Sequence, residues 1–283
     1  LQVYSTYDDG IEMFGGNFQI NNFVGLYVRD DTLDLDEGWI GTINNALIIQ
    51  SETDGNHCIE SDGIGSFEDL DAATVEDFIT RGLNTRVTIN NLTCIFSPNG
   101  AATATHDPGA GFRFREGIFV TLNDSMVVGS FVANDAAATD DNFCLRIDDR
   151  SGQAALDGDL VLNNVIYSCA ERTTGQTLAG GTVTEEQFAT DSGNIFATVP
   201  SGTAVSATAV NNPELQLLEG APPIYSIAYA TSQVDGVVPG AGSDPTPGLY
   251  LGALSLGETD WTAGWTFGLH ADSQSQPLWF EDL

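Results

Sequence analysis

The sequence predicts an all-β fold, a parallel β-helix (solenoid) with short helical insertions and an aromatic C-terminal cap. Three observations predict it. An apolar-Asn-Asn corner recurs, a short strand-like run follows each corner, and a second apolar-x-apolar strand comes after an acidic turn.

The corners are Ile20-Asn21-Asn22, Ile43-Asn44-Asn45, Ile89-Asn90-Asn91, Leu122-Asn123-Asp124 and Leu162-Asn163-Asn164. Their last residues are 23, 46, 33 and 40 positions apart. The runs at 23–28, 46–49, 92–96, 126–132 and 165–167 follow them, and these are short and β-branched, as strands are. The second strands are Ile11-Glu12-Met13, Leu33-Asp34-Leu35, Ile59-Glu60-Ser61, Phe112-Arg113-Phe114 and Leu145-Arg146-Ile147. Asp8-Asp9, Asp30-Asp31 and Asp140-Asp141 precede three of them, and Gly15, Gly38, Gly63 and Gly117 close four.

A unit of about 23 residues cannot bury its own apolar face, but it can when stacked on copies of itself. Inward residues then form columns spaced by about 4.8 Å. Asn at a repeated corner hydrogen-bonds to Asn one coil above and below, which satisfies amides that burial would otherwise leave unpaired. An ordinary β-sandwich offers no reason for five aligned Asn-type corners.

Insertions lengthen the later units. Val75, Phe78, Ile79 and Gly82 have helical spacing, with acids crowding the first turn, so a short helix is expected on the side of the solenoid. The stretches 99–111 and 133–141 read as long loops, which together with the helix crowd one rim. Residues 1–172 form the coils. Residues 173–283 form an irregular β extension and a C-terminal capping segment packed on the same solenoid. Within it, Thr184-Glu185-Glu186-Gln187 reads as a capping box and 243–247 as a linker or turn. Trp261, Trp265 and Trp279 mark the aromatic segment that covers the open apolar end, with a Trp-based sugar-binding surface as the competing reading.

The chain has 40 Asp+Glu against 8 Lys+Arg, all Arg, for a net charge of −32. Such a charge repels phosphate, which excludes DNA, RNA and anionic membrane as partners. No run of about 18 apolar residues is present, so no membrane span is expected. Four cysteines without C-x-x-C spacing disfavour zinc knuckles and thioredoxin-like sites. An even count in an acidic chain suits two disulfides in an extracellular protein, against four buried thiols as the bland reading. Cys58 and Cys94 fall in adjacent units, as do Cys144 and Cys169. Pairing Cys58–Cys94 and Cys144–Cys169 would staple neighbouring coils, with the other two connectivities still open.

Residues between the inward pair of each second strand point outward. Stacked, they read Glu12, Asp34, Glu60, Arg113 and Arg146, and the next outward column reads Phe14, Asp36, Asp62, Arg115 and Asp148. Like charges this close repel unless a cation or the following arginines neutralise them. Hard oxygen ligands at this density suit Ca²⁺. Glu12, Asp30, Asp31, Asp34, Asp36, Glu60 and Asp62 are the expected ligands. A salt-adapted acidic surface with structural Ca²⁺ is the simplest account of them. His57, His106 and His270 are scattered, so no His-based site is expected. Asn91-Leu92-Thr93 and Asn123-Asp124-Ser125 match the N-glycosylation pattern.

The segments Asp8-Asp9-Gly10-Ile11-Glu12-Met13-Phe14-Gly15-Gly16 and Arg29-Asp30-Asp31-Thr32-Leu33-Asp34-Leu35-Asp36-Glu37-Gly38-Trp39 resemble secreted right-handed parallel β-helix proteins of marine bacteria, in the pectate-lyase-like superfamily. The resemblance covers roughly residues 1–170 and the closing Trp261–Trp265 motif. It implies a secreted or bacterial outer-surface protein with a structural, adhesive or glycan-binding role, whose partner is an extracellular glycan or a neighbouring surface protein. Trp39, Trp261 and Trp265 are the expected glycan-binding aromatics. Lyases of this superfamily use Ca²⁺ and an Arg base in β-elimination on acidic glycans. By resemblance, Glu12, Asp34, Glu60 and Asp62 would hold the metal and Arg113 or Arg146 would be the base. Relatives usually carry further coils before the DDGIE-type motif, so a fragment, or end-to-end self-association into a filament, is the third expectation.

Overall fold

The computed structural model describes residues 1–50, 55–95, 110–128, 143–169, 171–196, 205–206, 209–210, 226–228, 250–253, 261–267 and 269. One parallel sheet contains β1 (Gln2–Tyr4), β3 (Asn17–Leu26), β5 (Ile40–Ile49), β7 (Arg86–Ile95), β9 (Phe119–Val128), β11 (Leu160–Ser168) and β13 (Ile195–Phe196). The other contains β2 (Ile11–Phe14), β4 (Leu33–Asp36), β6 (His57–Ser61), β8 (Ala110–Phe114), β10 (Phe143–Ile147) and β12 (Glu171–Thr173). The chain alternates between the sheets, and each strand pairs in parallel with the one two places along, as Ile43 does with Ile20 and Ile89. This winding is a parallel β-helix.

The Asn corners lie inside the strands rather than before them. Asn22, Asn45, Asn91, Asp124 and Asn164 have φ of 59°, 57°, 56°, 51° and 55°, the left-handed region that Asn and Asp tolerate best after Gly. One left-handed residue bends the strand while pairing resumes on the far side: Asn21 faces Asn44, and Phe23 faces Ala46. Each coil therefore has a third leg, before the corner, that the sequence reading omits. Its signature is period-2 alternation, as in Thr42-Ile43-Asn44 and Thr88-Ile89-Asn90.

The Asn ladder is continuous. Asn44 Nδ2 donates to Asn21 Oδ1 (2.8 Å), Asn90 to Asn44 (2.7 Å), Asn123 to Asn90 (2.8 Å) and Asn163 to Asn123 (2.9 Å). Corner residues repeat the pattern, from Asn45 to Asn22 and from Asn164 to Asp124, at 3.1 Å each.

The shaft is filled by columns such as Leu33, Ile59, Phe112 and Leu145, all at most 1% exposed. Both disulfides form, Cys58–Cys94 and Cys144–Cys169, inside this core. Each ties a strand of the six-stranded sheet to the chain after the next Asn corner, so it bridges the shaft.

Helix α1 (Ala72–Arg81) stands where the chain leaves β6. Asp71 caps it by accepting from Thr74 N at 2.9 Å, and Gly82 ends it at φ 69°. Helix α2 (Asp149–Asp157) occupies the same corner two coils later. The sequence reading misses it, because Gly152 interrupts its pattern. A Cβ at Gly152 would lie 2.9 Å from Ala179 N, so close packing demands the glycine. Arg150 of α2 reaches Glu76 of α1 at 2.6 Å, joining the helices along one rim. Helix α3 (Glu185–Asp191) starts at the expected capping box, with Thr184 accepting from Gln187 N.

Post-corner legs are buried on both faces: Val24, Leu47 and Met126 are 0% exposed although they point away from the shaft. The C-terminal segment explains this. Residues Tyr250–Gly252 lie against β5, β7 and β9, and Ala253 N donates to Thr93 Oγ1 at 2.9 Å. Phe267 then exchanges two 2.8 Å hydrogen bonds with Gln2 and packs edge-on against Tyr4. The segment thus runs along the flank to the first strand, rather than only across an open end. The stretch 133–141, nearly all of 99–111, the linker at 243–247, and His106, His270 and Trp279 lie outside the described residues.

Candidate functional site

The outer face of the six-stranded sheet carries the charged columns. Parallel register sets Glu12 beside Asp34 and Asp34 beside Glu60, and Arg113 beside Arg146. Asp62 forms a bridge with Arg115 one column over. The face divides into two halves with different chemistry.

In the later coils the acids are paired. Arg113 Nη1 lies 2.8 Å from Glu60 Oε1, and its Nε lies 3.3 Å from Asp148 Oδ2. Arg115 Nη2 donates to Glu60 Oε2 at 3.2 Å and to Asp62 Oδ2 at 2.8 Å, and its Nε also contacts Asp62. Arg146 Nε lies 2.7 Å from Asp148 Oδ2. Burial raises the Asp148 carboxyl, but hydrogen bonds from Arg146 and Gln176 outweigh it and hold the group below the usual range.

In the first coils acids face acids. Asp9, Glu12 and Asp34 present oxygens within 4.8 Å of one another, as do Asp8, Asp9 and Asp30. Asp34 and Asp36 are 8% and 7% exposed, and neither Oδ1 has a hydrogen-bond partner among the described residues. Burial, then the charge of Asp36, pushes Asp34 up to about 9. Burial, then Asp62, pushes Asp36 up to about 8. Asp9 rises to about 7 through burial and Asp31. A buried carboxylate oxygen without a donor costs free energy that a proton or a cation removes. This donor set, all hard oxygen, fits Ca²⁺.

A third group joins Asp31, His57 and Glu60 within 4.8 Å. His57 Nδ1 lies 2.8 Å from Asp31 Oδ1, which also accepts from His57 N at 2.7 Å. Burial lowers the His57 ring to about 4, so it is neutral, while burial raises Asp31 to about 7. Asp9 stands in an acidic turn and Asp148 in an outward column of the sequence, but neither is among the seven expected ligands, and His57 is not expected in any site. The signal for His57 was register: it precedes Ile59 by two positions, as Asp31 precedes Leu33, and those two strands pair.

The seven expected ligands therefore separate. Glu12 and Asp34 meet at one cluster, Asp30 at a second, and Asp31 and Glu60 at a third. Asp36 and Asp62 join none of these clusters, and Asp62 is held by Arg115. The expected aromatics separate too. Trp39 is 0% exposed, packed under Phe18 at 5.2 Å, so it has no face for a sugar. It is drawn inward because the shaft near Gly41 has room for an indole. Trp265 is 44% exposed and stacked on the partly buried Trp261 at 6.4 Å.

A family model described as a pectate-lyase like beta helix domain matches residues 1–266. Neither the curated proteins nor the solved structures compared with the chain give a match.

Proposed function

Because the chain belongs to the pectate-lyase-like β-helix family, we propose that it is an extracellular glycan-binding β-helix whose acidic face holds Ca²⁺. Membership supports the glycan-related role, and the two disulfides suit an oxidising compartment. Among the described residues no helix is long and apolar enough to cross a membrane.

One observation carries the metal reading: Asp34, 8% exposed, has an Oδ1 beside Asp9 and Glu12 that no described residue hydrogen-bonds. Asp9, Glu12 and Asp34 would hold the cation, with Asp8 and Asp30 adjoining. Ca²⁺ supplies the positive charge that the outward columns of the first coils lack and attracts an acidic glycan. The paired arginines of the later coils then offer a partly neutralised flank on which uronate carboxylates are tolerated.

Geometry favours binding over β-elimination. Arg113 uses Nη1 and Nε in ion pairs, and Arg146 is bound to Asp148. Such contacts stabilise the guanidinium cation and oppose the proton loss that a base requires. Polyuronate retention on immobilised protein, with Ca²⁺ and with EDTA, tests the proposal. Retention that rises with Ca²⁺, by an increment that disappears in Asp34→Asn, supports it, while retention indifferent to both contradicts it. Appearance of unsaturated product that Arg113→Ala abolishes would favour the lyase reading instead.

A further inference from the structure

The pre-corner legs of β3, β5, β7 and β9 form a second surface, on the seven-stranded sheet and so apart from the acidic columns. A groove of about 540 Å³ crosses it, within the size range of small-molecule sites. Its side chains come from four consecutive coils, because register aligns Ile40 with Arg86 and Arg86 with Phe119. Phe18 and Ile40 expose 43% and 40% of their surface at one end. Thr42 and Thr88, paired across adjacent strands, offer hydroxyls along the middle.

Gly41 shapes the floor. A Cβ there would sit 2.1 Å from the Trp39 ring. The glycine lets Trp39 fill the shaft beneath the groove, and Phe18 packs against that indole.

Arg86 supplies the charge. Its guanidinium lies 4.5 Å over the Phe119 ring, with Nε donating to Asn84 Oδ1 at 3.0 Å and Nη2 to Ile79 O at 2.9 Å. Its Nη1 makes no hydrogen bond to a described residue. Three contacts hold the plane in place, so little entropy is lost when an anion pairs with it. On a chain of net charge −32, Arg86 is the cation among the groove's lining residues and Asp159 the carboxylate.

We infer that this groove binds an acidic oligosaccharide, with a carboxylate or sulfate on Arg86, ring faces on Phe18 and Ile40, and hydroxyls on the threonines. A bare polyanion would be repelled by the overall charge, whereas a sugar adds the apolar and hydroxyl contacts that the groove matches. The inference rests on the glycan-related role but not on Ca²⁺, which makes the two separable.

Calorimetry with a short oligogalacturonide, in EDTA and again in Ca²⁺, tests it, with wild type, Arg86→Gln, Thr88→Tyr and Asp34→Asn. Thr88→Tyr fills the groove from an outward-facing position and leaves the anchor of Arg86 in place. The expected result is binding without Ca²⁺, weakened at least about tenfold by Arg86→Gln and by Thr88→Tyr and unchanged by Asp34→Asn. A neutral oligogalactoside should bind about tenfold more weakly to wild type. Binding that requires Ca²⁺ and is lost only in Asp34→Asn would overturn the groove and leave the acidic face standing. Absence of binding in every condition would overturn both.

Discussion

At the residue scale, Asp34 and Arg113 show how the same register produces opposite chemistry. Each sits between two inward side chains of a short strand, yet Asp34 meets other acids and Arg113 meets Glu60 and Asp148. In Ca²⁺-free buffer near pH 9, where the raised Asp34 carboxyl ionises, Asp34→Asn should raise the melting temperature by roughly 2–4 °C, since it removes a buried charge among acids. With Ca²⁺ the order should reverse, because the variant loses a ligand. Differential scanning fluorimetry in EDTA and in Ca²⁺ reads both signs. Arg113→Ala leaves Glu60 and Asp148 short of a cation and should cost about 2 kcal/mol in urea unfolding. The outward alternation, and so both columns, was legible in the sequence. Which acids converge was not, because convergence depends on the turn before each strand, where Asp9 and Asp31 lie, and turn geometry leaves no periodic trace.

At the element scale, the Asn corner is the decisive device. It needs a left-handed residue and an amide able to bond its copy in the next coil, and Asn supplies both. Asn45→Val would force a β-branched residue to φ 57° and break the bond to Asn22. A loss of about 2 kcal/mol is expected, against less than about 1 kcal/mol for Asn45→Gly, which keeps the backbone conformation. Equilibrium urea denaturation distinguishes them, and equal losses would mean that the corner is not strained by ordinary side chains. The recurrence of Asn-Asn revealed the winding. The leg before each corner was missed because a single left-handed residue turns the chain without ending the strand, so no Gly or Pro announces it. Helix α1 was legible from spacing, whereas its Asp71 cap was not read and the first turn of the helix holds no acid. Helix α2 was hidden by Gly152, a residue chosen for contact with Ala179 rather than for helicity.

At the scale of the whole molecule, three features hold the winding together: the shaft, the disulfides across it, and the C-terminal segment on its flank. Replacing Cys58 and Cys94, 36 residues apart, by Ala should cost about 3–4 kcal/mol by the loop-entropy account. The pairing was readable as one of three connectivities. The path of the C-terminal segment was not, because the doubly apolar post-corner legs, such as Phe23 to Leu26, read equally well as core. Net charge also acts at this scale. Asp9, Asp31 and Glu116 are raised to about 7, Asp36 to about 8 and Asp34 to about 9, all above the ordinary carboxylate value near 4. Carboxyls raised in the folded state contribute stability that is complete below about pH 4 and fades as pH climbs towards 9. Asp148, which is held low, works in the opposite sense. In EDTA the melting temperature should therefore fall between about pH 5 and pH 9, and Ca²⁺ should flatten that fall. The central claim is that stacked coils bring acids of the first turns together as a cation seat. Calcium calorimetry at about pH 8 on wild type and Asp34→Asn tests it most directly. Saturable binding to wild type that is weakened at least about tenfold in the variant is the predicted result, and no binding, or equal binding to both proteins, would contradict it.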